Sequence, residues 1–179
     1  MDKIIVQCCC GPCATACVER LLAEGARPVL FFANSNIDTP GEWERRLEAL
    51  QTVGRVYGLD VAVEPYARDD WERCVVTPEN ALLPEGGARC AACFAYNFAK
   101  TAAYARRTGI DAWTTTLSVS PHKSRALLFE AGHAVALATH TRFLDYDFSL
   151  GGGFKRSVEL SRLHALYRQR YCGCAIVHP

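Results

Sequence analysis

Short runs of β-branched and aromatic residues recur along this 179-residue chain, and longer segments with apolar residues at helical spacing lie between them. Such alternation leaves few arrangements open. A tight hairpin cannot join parallel strands, so a helix crosses over between them and covers a face of the sheet. Lys3–Gln7, Arg27–Ala33, Leu59–Glu64 and Ala112–Val119 read as strands, and Thr141–Phe148 as a short strand or extended turn. Thr15–Glu24, Pro40–Tyr57, Arg89–Arg107, His122–Thr139 and about Phe154–Arg168 read as helices. Gly25, Gly58 and Gly109 stop three of them, and Pro40 opens one. Residues 66–88, with Trp71, Cys74 and the Pro84-Glu-Gly-Gly turn, read as irregular. The expected fold is α/β, a three-layer parallel sheet, as a single domain over residues 1–179 without repeats or low-complexity linkers.

Composition narrows the setting. Half of the residues are apolar, enough for a sizeable core, and the net charge of +1 gives no global field for nucleic acid or membrane. Any basic footprint must therefore be local. No apolar run approaches the ~20 residues of a spanning helix, and Ile4-Ile5-Val6 is too short for a signal core. A cytoplasmic location, away from membranes, is expected.

Ten cysteines carry the chemical signal. A secreted, disulfide-stapled fold would be shorter and loop-rich, whereas clustered thiols in a reducing compartment bind metal or do redox work. Neighbouring Cα atoms lie about 3.8 Å apart, inside the usual lower limit for a bridge, so Cys8, Cys9 and Cys10 are poorly placed to pair with one another. Cys8, Cys9, Cys10 and Cys13 fall at the end of the first strand, where open α/β sheets place their sites. Cys90 and Cys93 share one face at a helix N-terminus, and Gly173 separates Cys172 from Cys174. Cys17 and Cys74 read as ordinary buried cysteines.

Three chemistries compete for these thiols. Cys10-Gly-Pro-Cys13 matches a thioredoxin-like thiol–disulfide motif, but that activity has no use for Cys8 and Cys9 beside it, nor for a second C-x-x-C and a C-x-C. Two C-x-x-C pairs could hold a structural zinc in an RNA-binding module, leaving three grouped cysteines idle. Setting aside Cys8, Cys17 and Cys74 leaves Cys9, Cys10, Cys13, Cys90, Cys93, Cys172 and Cys174. Four of those seven suit an iron–sulfur cluster, and three remain for a second centre or for catalysis.

Charge is concentrated near the C-terminal pair. Lys155, Arg156, Arg162, Arg168 and Arg170 stand against Glu159 alone, either as a solvated helix face or as a phosphate clamp beside the metal. His122 and Lys123, read as opening a helix, add to it, and Tyr167 and Tyr171 could stack a base. Asp145 and Asp147 either cap the turn before Gly151 or serve as acid or oxygen ligand. Asn34 and Asn36 are turn residues or polar contacts above a strand end.

Taken together, C-C-G-P-C (9–13), F-F-A-N-S-N-I (31–37), R-C-A-A-C-F (89–94), T-T-T-L-S-V-S-P-H-K (114–123), G-F-K-R-S (153–157) and Y-R-Q-R-Y-C-G-C (167–174) closely resemble the cobalamin-independent epoxyqueuosine reductases, the QueH family. The resemblance runs almost end to end. It implies a fold similar to the HUP-like adenine-nucleotide α-hydrolases. It also implies reduction of the epoxide of epoxyqueuosine, at the wobble position of tRNA, to the cyclopentene of queuosine, the last step of that modification. The implied cofactors are a [4Fe–4S] cluster and an adjacent mononuclear metal, iron or another divalent ion, with a disulfide bond also part of the family picture. Cys9, Cys10, Cys90, Cys93, Cys172 and Cys174 fall on motif positions, Cys13 serves as ligand or catalytic thiol, and Cys8 is additional to the pattern. Asp147, or a metal-bound water, is the expected proton donor. Asn34, Asn36, His122, Lys123, Lys155, Arg156, Tyr167 and Arg168 are the expected substrate contacts. Expected partners are the tRNA and an electron donor such as a ferredoxin or flavodoxin, with the chain itself a monomer.

Overall fold

The computed structural model describes residues 2–174; residues 1 and 175–179, part of the single domain expected from the sequence, lie outside them. Five strands, β1 (Lys3–Gln7), β2 (Arg27–Phe32), β3 (Val61–Val63), β4 (Ala112–Thr115) and β5 (Arg142–Phe143), form one sheet in the order β3-β2-β1-β4-β5. Every pairing is parallel, with Lys3 opposite Arg27 and Ile5 opposite Trp113. The helices between them are α1 (Gly11–Ala23), α2 (Pro40–Tyr57), α3 (Arg68–Val75), α4 (Ala88–Thr108) and α5 (Arg125–Thr139), followed by α6 (Gly153–Leu163).

Side chains alternate across a strand, and β1 uses both faces. Ile4 and Val6 pack with Val18 and Leu21 of α1 and Leu50 and Val53 of α2. Ile5 packs on the other face with Phe94 and Phe98 of α4, Trp113 of β4 and Leu128 of α5. Helix α6 lies against α1. The result is the expected three-layer arrangement, with β1 buried at its centre.

Several boundaries depart from the sequence reading, each for a local reason. Helix α1 starts at Gly11, not Thr15, because the Cys10 sulfur accepts the Cys13 N–H as an N-cap and Pro12 occupies the first turn. The cysteine run is therefore half strand end and half helix start. A Cβ on Gly11 would lie 2.6 Å from the backbone carbon and oxygen of Ala49, so a side chain there would force α1 away from α2. Residues 68–75 form α3 rather than irregular chain, burying Trp71 and Val75. Its eight residues are too few to show a helical period.

Strand β4 ends at Thr115, whose hydroxyl oxygen accepts the Leu117 N–H and turns Thr116–Val119 into a 3-10 helix. Helix α5 begins at Arg125 under a Ser124 cap, so His122 and Lys123 precede it instead of opening it. Helix α6 stops at Leu163, leaving 164–174 as an extended tail over the sheet end. Cys74 is exposed, not buried, whereas Cys17 is buried as expected. Helix α2 spans Pro40–Tyr57 and ends at Gly58 in the left-handed region, as the sequence indicates.

Candidate metal centre

The C-terminal ends of β1, β2 and β4 open onto a cavity of about 580 Å³, at the place where open parallel sheets set their sites. Cys9 and Cys13 from the β1–α1 junction, Cys93 from α4 and Cys172 from the tail all line it. Cys10, within 4.8 Å of Cys9 and Cys13, and Cys90, close enough to Cys93 for its charge to act there, are buried next to that wall. The seven thiols expected at the centre thus come together from three distant segments, six at one cavity and its wall and Cys174 through its bond to Cys172.

The tightest group is Cys9, Cys10 and Cys13, whose sulfurs all lie within 4.8 Å of one another. Cys9 donates to Cys10 at 3.6 Å, and the Cys9 sulfur lies 3.9 Å from the Thr116 hydroxyl. Nitrogen donors surround the sulfurs. The Gln169 amide donates to Cys10 at 2.9 Å, the Gly86 N–H to Cys90 at 3.2 Å and the Lys123 ammonium to Cys172 at 3.1 Å. Asn97 points its amide nitrogen at Cys93 from 3.7 Å.

The thiols cannot all ionise by themselves. Hydrogen bonding with Cys10 and then with Cys13 holds the Cys9 thiol well below its ordinary range, with Arg46 contributing. A bond from Cys13 pulls Cys10 down, but its bond to Cys9 and burial outweigh that and push it up to about 12. The bonds that Cys13 makes to Cys10 and Cys9 raise it too. Burial and then the charge of Cys172 push Cys93 up to about 12, and the bond to Cys174 together with burial raises Cys172. A multivalent cation would suit such a set, because metal ligands must be deprotonated and the ion would supply the compensating charge. Three thiolates within 4.8 Å suit three corners of an iron–sulfur cluster or three ligands of a tetrahedral metal, so the donor set fits.

The tail is held by two arginines, Arg46 buried and Arg68 partly buried. Arg46 of α2, 2% exposed, pairs with Glu42 at 2.7 Å and donates to the carbonyls of Cys172 at 2.9 Å and Tyr171 at 3.1 Å. Arg68 donates to the Cys174 carbonyl at 3.0 Å and to the Asn36 carbonyl. Gly173 adopts φ +117°, and a Cβ there would lie 3.1 Å from the Arg46 guanidinium. A third arginine, Arg89, gathers the carbonyls of Asn80, Ala81 and Leu83 and so shapes the loop before Cys90.

The expected substrate contacts divide into two sets. Asn34, Asn36, His122, Lys123 and Arg168 reach the cavity, and Arg170 and Tyr171 join them. Lys123 points inward, onto Cys172 and Glu85, with a side chain 10% exposed. Lys155, Arg156 and Tyr167 do not line the cavity. Arg156 grips Glu19 of α1 at 2.8 and 3.0 Å, and Tyr167 donates to Glu42 at 2.7 Å. Asp147 is also off the wall: its carboxylate accepts the Ser149 N–H and hydroxyl and pairs with Arg125 at 3.2 Å. It caps the turn. Asp145 is exposed beside His133.

Cys8 belongs to the core, its thiol donating to the Val6 carbonyl at 3.2 Å. Sequence reasoning passed over Arg46, Gln169, Asn97 and Gln7. Glu42 and Arg46 stand four apart on a helix, a spacing that reads as a solvent-facing ion pair until α1 and the tail cover it. All ten cysteines are free thiols here.

Known proteins have similar sequences. The sequence model of a family described as "Epoxyqueuosine reductase QueH" matches residues 4–178. The epoxyqueuosine reductase QueH of Streptococcus pyogenes serotype M1 is 34% identical over 178 residues, which cover 96% of this chain and 69% of the relative. That of Staphylococcus aureus (strain Mu50) is 33% identical, covering 96% and 74%. That of Thermotoga maritima is 30% identical, covering 97% and 89%.

Proposed function

This chain belongs to the epoxyqueuosine reductase QueH family, an oxidoreductase family, and from that membership we propose that it reduces epoxyqueuosine in tRNA to queuosine. The observation that carries the reading is the convergence of Cys9, Cys13, Cys93 and Cys172 on one cavity at the strand ends, with Cys10 and Cys90 buried next to them. The strand order and the cysteine position after β1 favour a fold of the HUP-like adenine-nucleotide α-hydrolase type, organised as one domain.

The reaction consumes two electrons and two protons: both C–O bonds of the epoxide break, a C=C bond forms and the oxygen leaves as water. A [4Fe–4S] cluster and an adjacent iron, held among Cys9, Cys10, Cys13, Cys90, Cys93, Cys172 and Cys174, would supply electrons singly and a Lewis-acid position for the oxygen. The chain's own residues do the rest. Lys123 and Gln169 donate to sulfur, a contact that stabilises negative charge on the thiolates. Phe94 and Leu117 give the cavity an apolar wall that excludes water from the reacting carbons. His122, on the wall, offers a ring nitrogen as proton carrier, a position that Asp147 does not occupy. Arg168 and Arg170 at the rim take the anticodon-loop phosphates. A ferredoxin or flavodoxin is the electron donor in this reading, and the chain acts as a monomer.

Anaerobic purification with visible absorption and iron, sulfide and zinc analysis tests the reading, followed by turnover of epoxyqueuosine-tRNA with a chemical reductant. Brown protein with acid-labile sulfide, more iron than sulfide and queuosine as product is expected. Colourless zinc protein without turnover after anaerobic reconstitution would overturn it.

A further inference from the structure

Three carboxamides on the cavity wall each leave one buried polar atom without a hydrogen-bond partner among the described residues: Gln7 Nε2, Asn97 Oδ1 and Gln169 Oε1. Gln7 is 1% exposed and Asn97 4%. Such atoms cost roughly 1–3 kcal/mol each when buried and unmet, so three around one cavity ask for a ligand.

Their orientations are set by their other contacts. Thr115 receives the Leu117 N–H, so its own hydroxyl hydrogen goes to Gln7 Oε1 at 2.7 Å and the amide nitrogen of Gln7 is left over as donor. Asn97 directs its nitrogen to Asn36 Oδ1 at 3.1 Å and toward Cys93, leaving its oxygen as acceptor. Gln169 directs its nitrogen to Cys10, which leaves its oxygen likewise. The residues that line the cavity therefore carry one unmet donor and two unmet acceptors, and Asn97 and Gln169 lie against Cys93 and Cys10.

We propose that Gln7, Asn97 and Gln169 read a vicinal diol and so hold the ring that bears it against the cysteines. The inference rests on the function proposed above and deepens it. In epoxyqueuosine an aminomethyl arm on a deazaguanine carries a cyclopentane ring with two adjacent hydroxyls and the epoxide. Two hydroxyl hydrogens match the two acceptors, and a hydroxyl oxygen takes the Gln7 N–H. The base edge, with two donors and one acceptor, has the same complement, and placement decides against it. With that edge at Cys10 and Cys93, the epoxide would sit at the far end of the arm, away from the thiols. Gln7 and Asn97 are thus specificity-determining residues. Losing a hydrogen bond to a substrate hydroxyl leaves the buried amide unpaired again, which makes such sites discriminating.

Equilibrium binding by the anaerobically purified, metal-loaded protein tests the proposal with two tRNAs of the same sequence. One carries queuosine, with the diol ring; the other carries the aminomethyl-deazaguanine alone. Wild type is expected to bind the first at least tenfold tighter. Gln7→Met and Asn97→Leu should bring that ratio toward one while leaving affinity for the ringless tRNA unchanged, which a merely structural role would not do. If both variants fold and keep the ratio, the proposal is overturned. If wild type binds both tRNAs equally, it is overturned without any variant, so a misfolded mutant does not protect it. If wild type binds neither tRNA, the proposed function itself fails.

Discussion

Arg46 and Cys172 meet across 126 positions of sequence: the guanidinium of one donates to the carbonyl of the other at 2.9 Å. The same side chain is ion-paired to Glu42 and stacked over Tyr171 at 5.2 Å. The cation that keeps the tail in place is thus also a neighbour of the cysteine cluster, and it lowers the Cys9 thiol through its charge. Arg46→Ala removes the buried partner of Glu42 and leaves it Arg45 and the Tyr167 hydroxyl, so the loss falls short of the roughly 3–5 kcal/mol of a wholly unpaired buried charge. Arg46→Lys keeps the charge but loses the fork that reaches two carbonyls. Urea denaturation should show the loss for Arg46→Ala and a smaller one for Arg46→Lys, and both should bind less iron per chain than wild type.

Glu42 gives this arrangement a pH dependence. Burial alone would raise its carboxyl, but hydrogen bonds from Tyr167, Arg46 and Arg45 outweigh it and hold the folded value below 4.5. A depressed carboxylate contributes stability that is full above the unfolded value and lost as pH falls through the folded one. Stability should therefore hold at neutral pH and decline below about pH 4.5. Denaturation midpoints taken from pH 6 to pH 3 should fall more steeply for wild type than for Glu42→Gln.

Gly11→Ala tests the packing under the cysteines. Its methyl would sit 2.6 Å from the Ala49 carbonyl, rigid backbone that has no rotamer to yield. Overpacking of this kind costs about 1–3 kcal/mol. A lowered denaturation midpoint is expected, together with less bound metal, because the shift moves Cys10 and Cys13 with the start of α1.

Cysteine substitutions should separate the centre from the scaffold. Cys9→Ser, Cys10→Ser and Cys13→Ser should each abolish or strongly reduce the visible absorption and the iron and sulfide content. Cys74→Ser, at an exposed site on α3, should change neither. Cys8→Ala should lower stability by roughly 1 kcal/mol as a core substitution while leaving metal content intact.

The rim arginines should carry the RNA electrostatics. Arg168→Ala with Arg170→Ala is expected to weaken tRNA binding and reduce the slope of log affinity against log salt by about 1–2. Arg156 is engaged with Glu19, an exposed pair of small energetic weight, so Arg156→Ala should leave the slope unchanged. Filter binding from 50 to 300 mM salt, about the range over which phosphate contacts are screened, reads both.

Much of the architecture is written in local pattern. Apolar runs such as Val29–Phe32, separated by helices with Pro40 and Gly58 at their ends, demand parallel strands, and Cys8–Cys13 marks the strand end where a site belongs. The matching blocks along the chain carry the family. Short or capped features were less legible. Helix α3 has too few residues for a period, and β4 breaks at Thr115 through a side-chain bond that composition does not signal.

What only the tertiary structure decided is which polar groups meet. Charge density nominated Lys155 and Arg156, but Glu19 faces Arg156 once α6 lies on α1, and neither residue reaches the cavity. Lys123 looked like a phosphate contact and became a donor to Cys172. Arg46, Gln7 and Asn97 carry no signature because burial is a property of what covers a residue, not of the residue itself. Periodicity reports the face an element turns to the core, and the pairing of side chains across 100 positions is fixed only when the sheet brings its loops together.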